Sequence, residues 1–310
     1  MSNLKVYLNK PNENWIVDRL VDEWIKYNKG ITTQNINDAN VIWIISPWTY
    51  KEIPRKLLKT RKVICTIHHL DFEKFNLLEK IKYKNLDNHV DYYHAISIQT
   101  EKSLKKITNK PIWTNPWWIN QNLWYEIIDK KELRKKFNID ENSFILGSFQ
   151  RDTEGKDLRT PKLSKGPDRF IDIVLEYKKT NKNLEVILSG TRRHFIIEKL
   201  KENNIKFHYF EMANLEQLNE LYNCLDLYVV SSRVEGGPQA IYECALSKTP
   251  IISTDVGVAS KFLDKKSIFN MENFKRAQPN TQYAYDSIQN HTIPEGFIPF
   301  LKKFEELIES

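Results

Sequence analysis

Short apolar runs alternate with amphipathic segments from the start of the chain to about position 270 of its 310 residues. That alternation is what a parallel sheet with crossover helices requires, so it predicts an α/β protein. In the first half, strands are expected around Val6 and at residues 41–45, 63–67, 93–96 and 112–113. A helix lies between the first two, because Ile16, Leu20, Val21, Trp24 and Ile25 recur at helical spacing behind the cap candidates Asn12 and Asn14. After the charged segment 130–138 a second series begins, with strands at 144–149, 184–188, 207–210, 227–230 and 250–253. Helices are expected at 167–178, 215–222 and 238–246, and the polar stretch 151–165 reads as a long loop. A chain of this length is better divided into two domains than held in one.

The sequence ends on Phe297, Phe300, Leu301, Phe304, Leu307 and Ile308, a helical apolar stripe introduced by Pro294 that has to dock somewhere. The formal charge of +7 and a pI near 9.0 permit anionic partners but, in a lysine-rich chain, do not select one. Cys65, Cys224 and Cys244 form no C-x-x-C pair and sit in apolar or helical stretches, as buried free thiols in a reducing compartment do. The strand-like segment 4–8 opens the chain without the pattern of a secretory signal, and no apolar run nears the roughly 18 residues of a membrane span. A cytoplasmic protein is expected, with peripheral contact at a membrane as a further option.

The stretch richest in chemistry is 231–243, directly after the apolar run 227–230. Gly237 and Pro238 suit the cap and first position of a helix, which sets Glu235 in the loop at its positive end and Glu243 five residues beyond the proline. At about 1.5 Å per residue, Pro238 and Glu243 stand about 7.5 Å apart along the axis, close to the length of a diphosphate. The two carboxylates can then touch two hydroxyl-bearing rings of one ligand, with the amides of Gly236 and Gly237 on the phosphates between. Two glutamates eight residues apart are by themselves unremarkable in so charged a chain. Their context, strand, glycine pair, proline, helix and then the run Thr254-Asp255-Val256-Gly257, is not.

That composite resembles the signature of glycosyltransferase family 4, the retaining GT-B enzymes, in which Glu-x7-Glu precedes an apolar strand ending in Thr-Asp-Val-Gly. The resemblance implies that Glu235 holds hydroxyls of the transferred sugar and Glu243 the ribose hydroxyls, with Gly236, Gly237, Pro238, Gln239 and Gly190 binding the donor. A second match covers Gly147-Ser148-Phe149-Gln150-Arg151 and, later, Lys165-Gly166. There it implies that Arg151 and Lys165 neutralise the departing diphosphate. A polar insertion separates the two, so Lys156 is a rival for the lysine role. His68 and His69 follow the run 63–67, where ligands of open α/β sheets bind, and the family commonly has one histidine there beside the donor sugar. With Asp71 the pair also suggests a metal, but no third spaced ligand is evident and the resemblance implies no essential metal or other cofactor.

The eight tryptophans all lie within the first 124 residues. Trp15, Trp24 and Trp43 fit the core, whereas Trp48, Trp117 and Trp118 follow strand ends and are candidates for stacking on an acceptor sugar or resting at a membrane interface. The run 9–14 replaces the glycine-rich loop that many relatives have after their first strand, so acceptor handling there does not carry over. The resemblance implies a GT-B fold, two Rossmann-like domains with parallel sheets facing a central cleft. The first is expected to span residues 1–127 and the second 140–285, with helix 294–310 packing back on the first. The expected activity is retaining transfer of a hexose-type sugar from a nucleotide diphosphate donor to a hydroxyl of a glycan or glycoconjugate, with no nucleic acid as partner. The alternatives are a DNA-modifying glucosyltransferase, whose duplex binding would weaken steeply with salt, and a non-catalytic nucleotide-sugar or glycan-binding protein.

Overall fold

The computed structural model describes residues 4–13 and 16–309. Asn14 and Trp15, named above as a cap and as core, lie outside the described residues. The chain divides into two compact units, Met1–Trp118 together with Ile293–Ser310, and Ile119–Thr292.

The first unit opens with β1 (Val6–Leu8), α1 (Ile16–Tyr27), β2 (Val41–Ile44), α2 (Arg55–Thr60) and β3 (Lys62–Ile67). It continues through α3 (Leu77–Asp87), β4 (Tyr92–Ala95), α4 (Ile98–Leu104) and β5 (Ile112–Thr114). The strands form one parallel sheet in the order β1-β2-β3-β4-β5, with register partners such as Val41 opposite Lys62 and Cys65 opposite Tyr93. Asn12 is not a conventional cap for α1. Its backbone N–H donates to the carboxylate of Asp18 in the helix's first turn, at 2.9 Å, so the helix reaches back to the loop.

The second unit runs α5 (Lys130–Lys136), β6 (Phe144–Ser148), α6 (Pro167–Thr180), β7 (Leu184–Ser189), α7 (His194–Glu202), β8 (Lys206–Phe210) and α8 (Leu215–Cys224). It then adds β9 (Leu227–Val230), α9 (Gln239–Ser247), β10 (Ile251–Thr254), α10 (Ala259–Phe262), β11 (Ile268–Phe269) and α11 (Thr281–Ile288). Its sheet is also parallel, ordered β11-β10-β9-β6-β7-β8. The fold class is thus α/β with two parallel sheets, of the GT-B two-domain Rossmann-like type.

The charged segment at 130–138 is a built part of the second unit. Asp129 caps α5 by accepting from the Glu132 N–H, and Arg134, 5% exposed, donates to the carbonyls of Cys224, Glu141 and Ser143 and to Asp226. Those bonds tie the charged stretch to the second unit.

The last helix, α12 (Ile298–Glu309), belongs to the first unit. It starts four residues after Pro294, following a short 3₁₀ turn over Glu295–Phe297. Phe297 of that turn and Phe300 and Phe304 of α12 meet Trp24 of α1 with ring centroids 5.5, 6.3 and 5.5 Å away. Trp117 and Trp118 join the same cluster at 1% exposure each, Trp117 stacked on Phe300 at 5.7 Å and 7°. They are core residues, which corrects their reading as sugar- or membrane-facing aromatics: burial of large apolar area outweighs any role at a strand end. Trp48 is 48% exposed and donates its indole N–H to Glu13 at 3.0 Å.

A polar thread runs through this aromatic core. The Trp43 indole N–H donates to Thr66 Oγ1 at 2.8 Å, and that hydroxyl lies 2.9 Å from His94 Nδ1. The Asn115 carbonyl can only accept, so His94 carries its hydrogen on Nε2, at 2.7 Å, and in the neutral ring Nδ1 accepts from Thr66. Burial holds the imidazole down to about 3, against about 6.5 for an unfolded histidine. Because the folded value is depressed, the unfolded chain binds the extra proton first, and this contribution is complete above about pH 6.5 and lost as pH falls toward 3. Urea unfolding between about pH 7 and pH 5 is expected to lose about 2 kcal/mol through His94, and a His94→Gln variant should show a correspondingly flatter slope.

The three cysteines are free and buried, and burial raises each thiol. Among the described residues no helix is long and apolar enough to cross a membrane.

Candidate functional site

In the second unit the chain leaves β6 outward through β7 and β8 and returns to β9 on the other side of β6. The strand order reverses between β6 and β9, and in open parallel sheets the crevice beyond the carboxyl ends of such a pair accepts ligands. The loops that emerge there are 149–166 after β6 and 231–238 after β9.

The loop after β6 is not irregular throughout. Thr153 bridges antiparallel to Pro161, the Glu154 N–H donates to Thr160 at 2.9 Å and the Lys162 N–H to Asp152 at 2.7 Å. This hairpin carries Lys156 to an exposed tip and brings Lys162 within electrostatic reach of both Lys165 and Arg151. Lys165 ion-pairs with Glu235 of the other loop. Lys156 is not brought there, so of the two lysine candidates only Lys165 joins the glutamate.

Lys162 was not singled out from the sequence, because it stands eleven residues from Arg151 and only the hairpin makes them neighbours. Burial lowers the pKa of its ammonium first, and the nearby charges of Lys165 and Arg151 lower it further. The part-buried Lys162 and Lys165 and the exposed Arg151 thus gather positive charge, with Glu235 among the opposing charges, and such a gathering favours a polyanion. The Arg151 guanidinium is itself steered by donating Nε–H to the Thr153 carbonyl at 2.9 Å.

Two glycines make the convergence sterically possible. Gly166 adopts φ +63°, and a Cβ there would stand 1.9 Å from the Ser231 carbonyl oxygen. Gly257, at φ +56°, backs onto the Gly236–Gly237 peptide, where a Cβ would stand 2.3 Å from the Gly236 oxygen. The glycine of the Thr254–Gly257 run thus supports the loop that holds Glu235. Ser232 completes it, its hydroxyl lying 3.2 Å from Glu235 Oε1 and 3.2 Å from Gln150 Oε1, while Thr254 Oγ1 donates to the Ser232 carbonyl at 2.7 Å. Arg233 grips Asp168 of α6 with both terminal nitrogens, at 2.7 and 2.5 Å, and holds that carboxyl below its usual range.

Helix α9 starts one residue later than expected, with Pro238 as its cap residue and Gln239 as its first. Gly236 and Pro238 are buried, and Gly237 and Gln239 are partly exposed. Glu243, 5% exposed, accepts from the Tyr222 hydroxyl at 2.8 Å, and burial followed by that carboxylate raises the Tyr222 pKa well above its ordinary value. Gly190 directly follows β7, two strands from β9, with its carbonyl accepting from the Tyr209 hydroxyl at 3.1 Å.

Behind these loops lies a buried ion pair that sequence reasoning did not anticipate. Arg193 and Asp152, 0% and 1% exposed, meet at 2.6 Å, and the guanidinium also donates to the carbonyls of Ser148 and Ser189 at 2.5 and 2.9 Å. Asp152 adjoins Arg151, so the pair anchors the cationic loop to the carboxyl ends of β6 and β7.

His68 and His69 belong to the first unit, beyond the end of β3. The described strands there run in one direction without reversal, so the crevice rule does not mark that edge as it marks β6 and β9. His68 Nε2–H donates to the Ile45 carbonyl at 3.0 Å and the ring stacks on Trp117; burial lowers it to about 4. It is neutral near pH 7. His69 is exposed. Among the described residues, no group of three His, Cys, Asp or Glu side chains is placed to hold a metal ion.

The geometry places the diagnostic segment inside one domain, and residues 129–269 match the family model described as Glycosyl transferases group 1. The matched segment holds Arg151, Lys162, Lys165, Glu235 and Glu243, and it ends at Phe269, the last residue of β11. No curated protein matches the chain. Solved structures resemble it over nearly its whole length. Anabaena HepE in complex with UDP and glucose aligns with a TM-score of 0.70 at 14% identity, covering 98% of this chain and 99% of that one. Sucrose-phosphate synthase from Thermosynechococcus elongatus gives 0.68 at 15%, covering 94% and 77%, and a Rickettsia africae glycosyltransferase 0.65 at 14%, covering 97% and 84%. At such identities these likenesses carry the fold.

Proposed function

We propose that the protein is a retaining glycosyltransferase of family 4 that moves a hexose-type sugar from a nucleotide diphosphate donor to a hydroxyl of a glycan or glycoconjugate. The observation that carries this reading is the cation cluster of Arg151, Lys162 and Lys165 set against Glu235 at the strand-order reversal between β6 and β9. In the proposed reaction the bond between the anomeric carbon and the diphosphate oxygen breaks while the acceptor oxygen bonds to the same face of that carbon. The acceptor's proton passes to the departing diphosphate. Negative charge grows on the leaving group, and fixed cations stabilise growing charge more than they stabilise the ground state.

Glu235 would give up its ion pair with Lys165 to sugar hydroxyls as the ammonium turns to phosphate. Glu243 would hold the ribose, and the amides of Gly236 and Gly237 would meet the phosphates at the entry to α9. In this reading neither glutamate serves as a hydrolytic acid or base, because one holds sugar hydroxyls and the other ribose hydroxyls. The HepE complexes with UDP and glucose support testing UDP-glucose first among donors. Glu235→Ala and Glu243→Ala are each expected to lower donor turnover at least about tenfold, as loss of a charged hydrogen bond of about 1.5 to 3 kcal/mol would. Initial-rate assays over a panel of nucleotide sugars, with circular dichroism to confirm folding, check this. Full turnover by both folded variants would end the proposal. Chelation of divalent metals should leave the rate unchanged.

A further inference from the structure

Helix α3 of the first unit is apolar on two opposite sides. Leu86, 2% exposed, and the partly buried Tyr83 pack into the core cluster of Val63, Cys65 and Tyr93. At about 100° per residue, Leu77, Leu78 and Ile81 fall on the far side of the same helix, where an amphipathic surface helix is normally polar. They are 71%, 67% and 49% exposed. Phe72, just upstream and 41% exposed, extends the strip through its contact with Phe75 at 5.4 Å.

Lysines border this strip. Helical spacing puts Lys80 and Lys84 along one edge and Lys82 along the other, and the Lys106 ammonium sits 5.0 Å over the Phe72 ring. The two carboxylates of α3 are already engaged, Glu79 by Lys82 at 2.5 Å and Asp87 by the Thr108 hydroxyl at 2.5 Å. Four large apolar side chains exposed within residues 72–81 form a patch that water disfavours, and a positive border selects what covers it. A bilayer interface bearing anionic headgroups meets both demands, taking the apolar side chains among its acyl chains and the ammonium groups at its phosphates.

We infer that the exposed face of α3, with Phe72, docks the protein on an anionic lipid surface. This goes beyond the donor chemistry and does not depend on it. The experiment is flotation of the full chain with vesicles of phosphatidylcholine alone or mixed with phosphatidylglycerol. The wild-type chain floats with the mixed vesicles and much less with the neutral ones, and raising salt releases it. Leu78→Glu with Ile81→Glu, and separately Lys80→Gln with Lys84→Gln, each weaken binding at least tenfold while circular dichroism is unchanged. Failure of the wild-type chain to float overturns the inference, as does equal binding by the Leu78→Glu, Ile81→Glu variant. So does a sedimentation result in which the wild-type chain self-associates through this face without binding vesicles, because a second copy then covers the strip.

Discussion

Lys165→Ala is expected to slow sugar transfer by about 10²- to 10³-fold in kcat, the range seen when one preorganised group facing developing charge is removed. The hypothesis rests on the pairing of Lys165 with Glu235 and on the crowding of Lys162 and Arg151 around it. Removing the ammonium does two things at once. It takes away a counter-charge for the departing diphosphate, and it leaves Glu235 to repel that same anion. Lys156→Ala, at the exposed hairpin tip, should leave the rate as it was, which separates a local effect from loss of general positive charge. Steady-state rates with saturating donor measure both variants. A Lys165→Ala enzyme with unchanged kcat would remove the lysine from the chemistry, and equal losses from Lys156→Ala would move the role to the hairpin tip.

Asp152→Ala is expected to destabilise the second unit by about 3 to 5 kcal/mol, because it strands the Arg193 charge where water does not reach. The carbonyls of Ser148 and Ser189 still accept from the guanidinium, but they carry no compensating charge. An Asp152→Ala, Arg193→Met double variant should recover a large part of the loss, since an apolar side chain of similar length carries no charge to desolvate. Denaturant unfolding of the three proteins reads the effect. Costs that simply add would show that the two residues are not coupled. Because Asp152 adjoins Arg151 and its neighbour Thr153 accepts from Phe195 N–H at 2.9 Å, the single variant should also lower transfer under conditions where it remains folded.

Periodicity was enough for the fold class, because strands covered on both faces must be apolar throughout and their crossovers must be amphipathic. The glutamates, the glycine pair and the run 254–257 were equally readable as one loop-to-helix entry, since such an entry is a local arrangement of neighbouring residues. Lys162 was not, nor was Arg193. Each looks like a solvated surface charge until a partner distant in sequence is folded against it, Arg151 across the hairpin in one case and Asp152 across two strand ends in the other. Trp117 and Trp118 misled for the converse reason. Position after a strand marks the edge of a sheet, but whether that edge meets solvent or a phenylalanine of α12 is set by contacts 180 residues or so away in the chain.

The amino-acid sequence alone determined two α/β series, the loop-to-helix entry at 235–243 and the long polar loop 151–165, because each depends on spacing within one or two elements. Only the tertiary structure decided which lysine faces Glu235, which tryptophans are core and which side of α3 is left to solvent. Those outcomes depend on burial, and burial is a property of how elements far apart in sequence pack together.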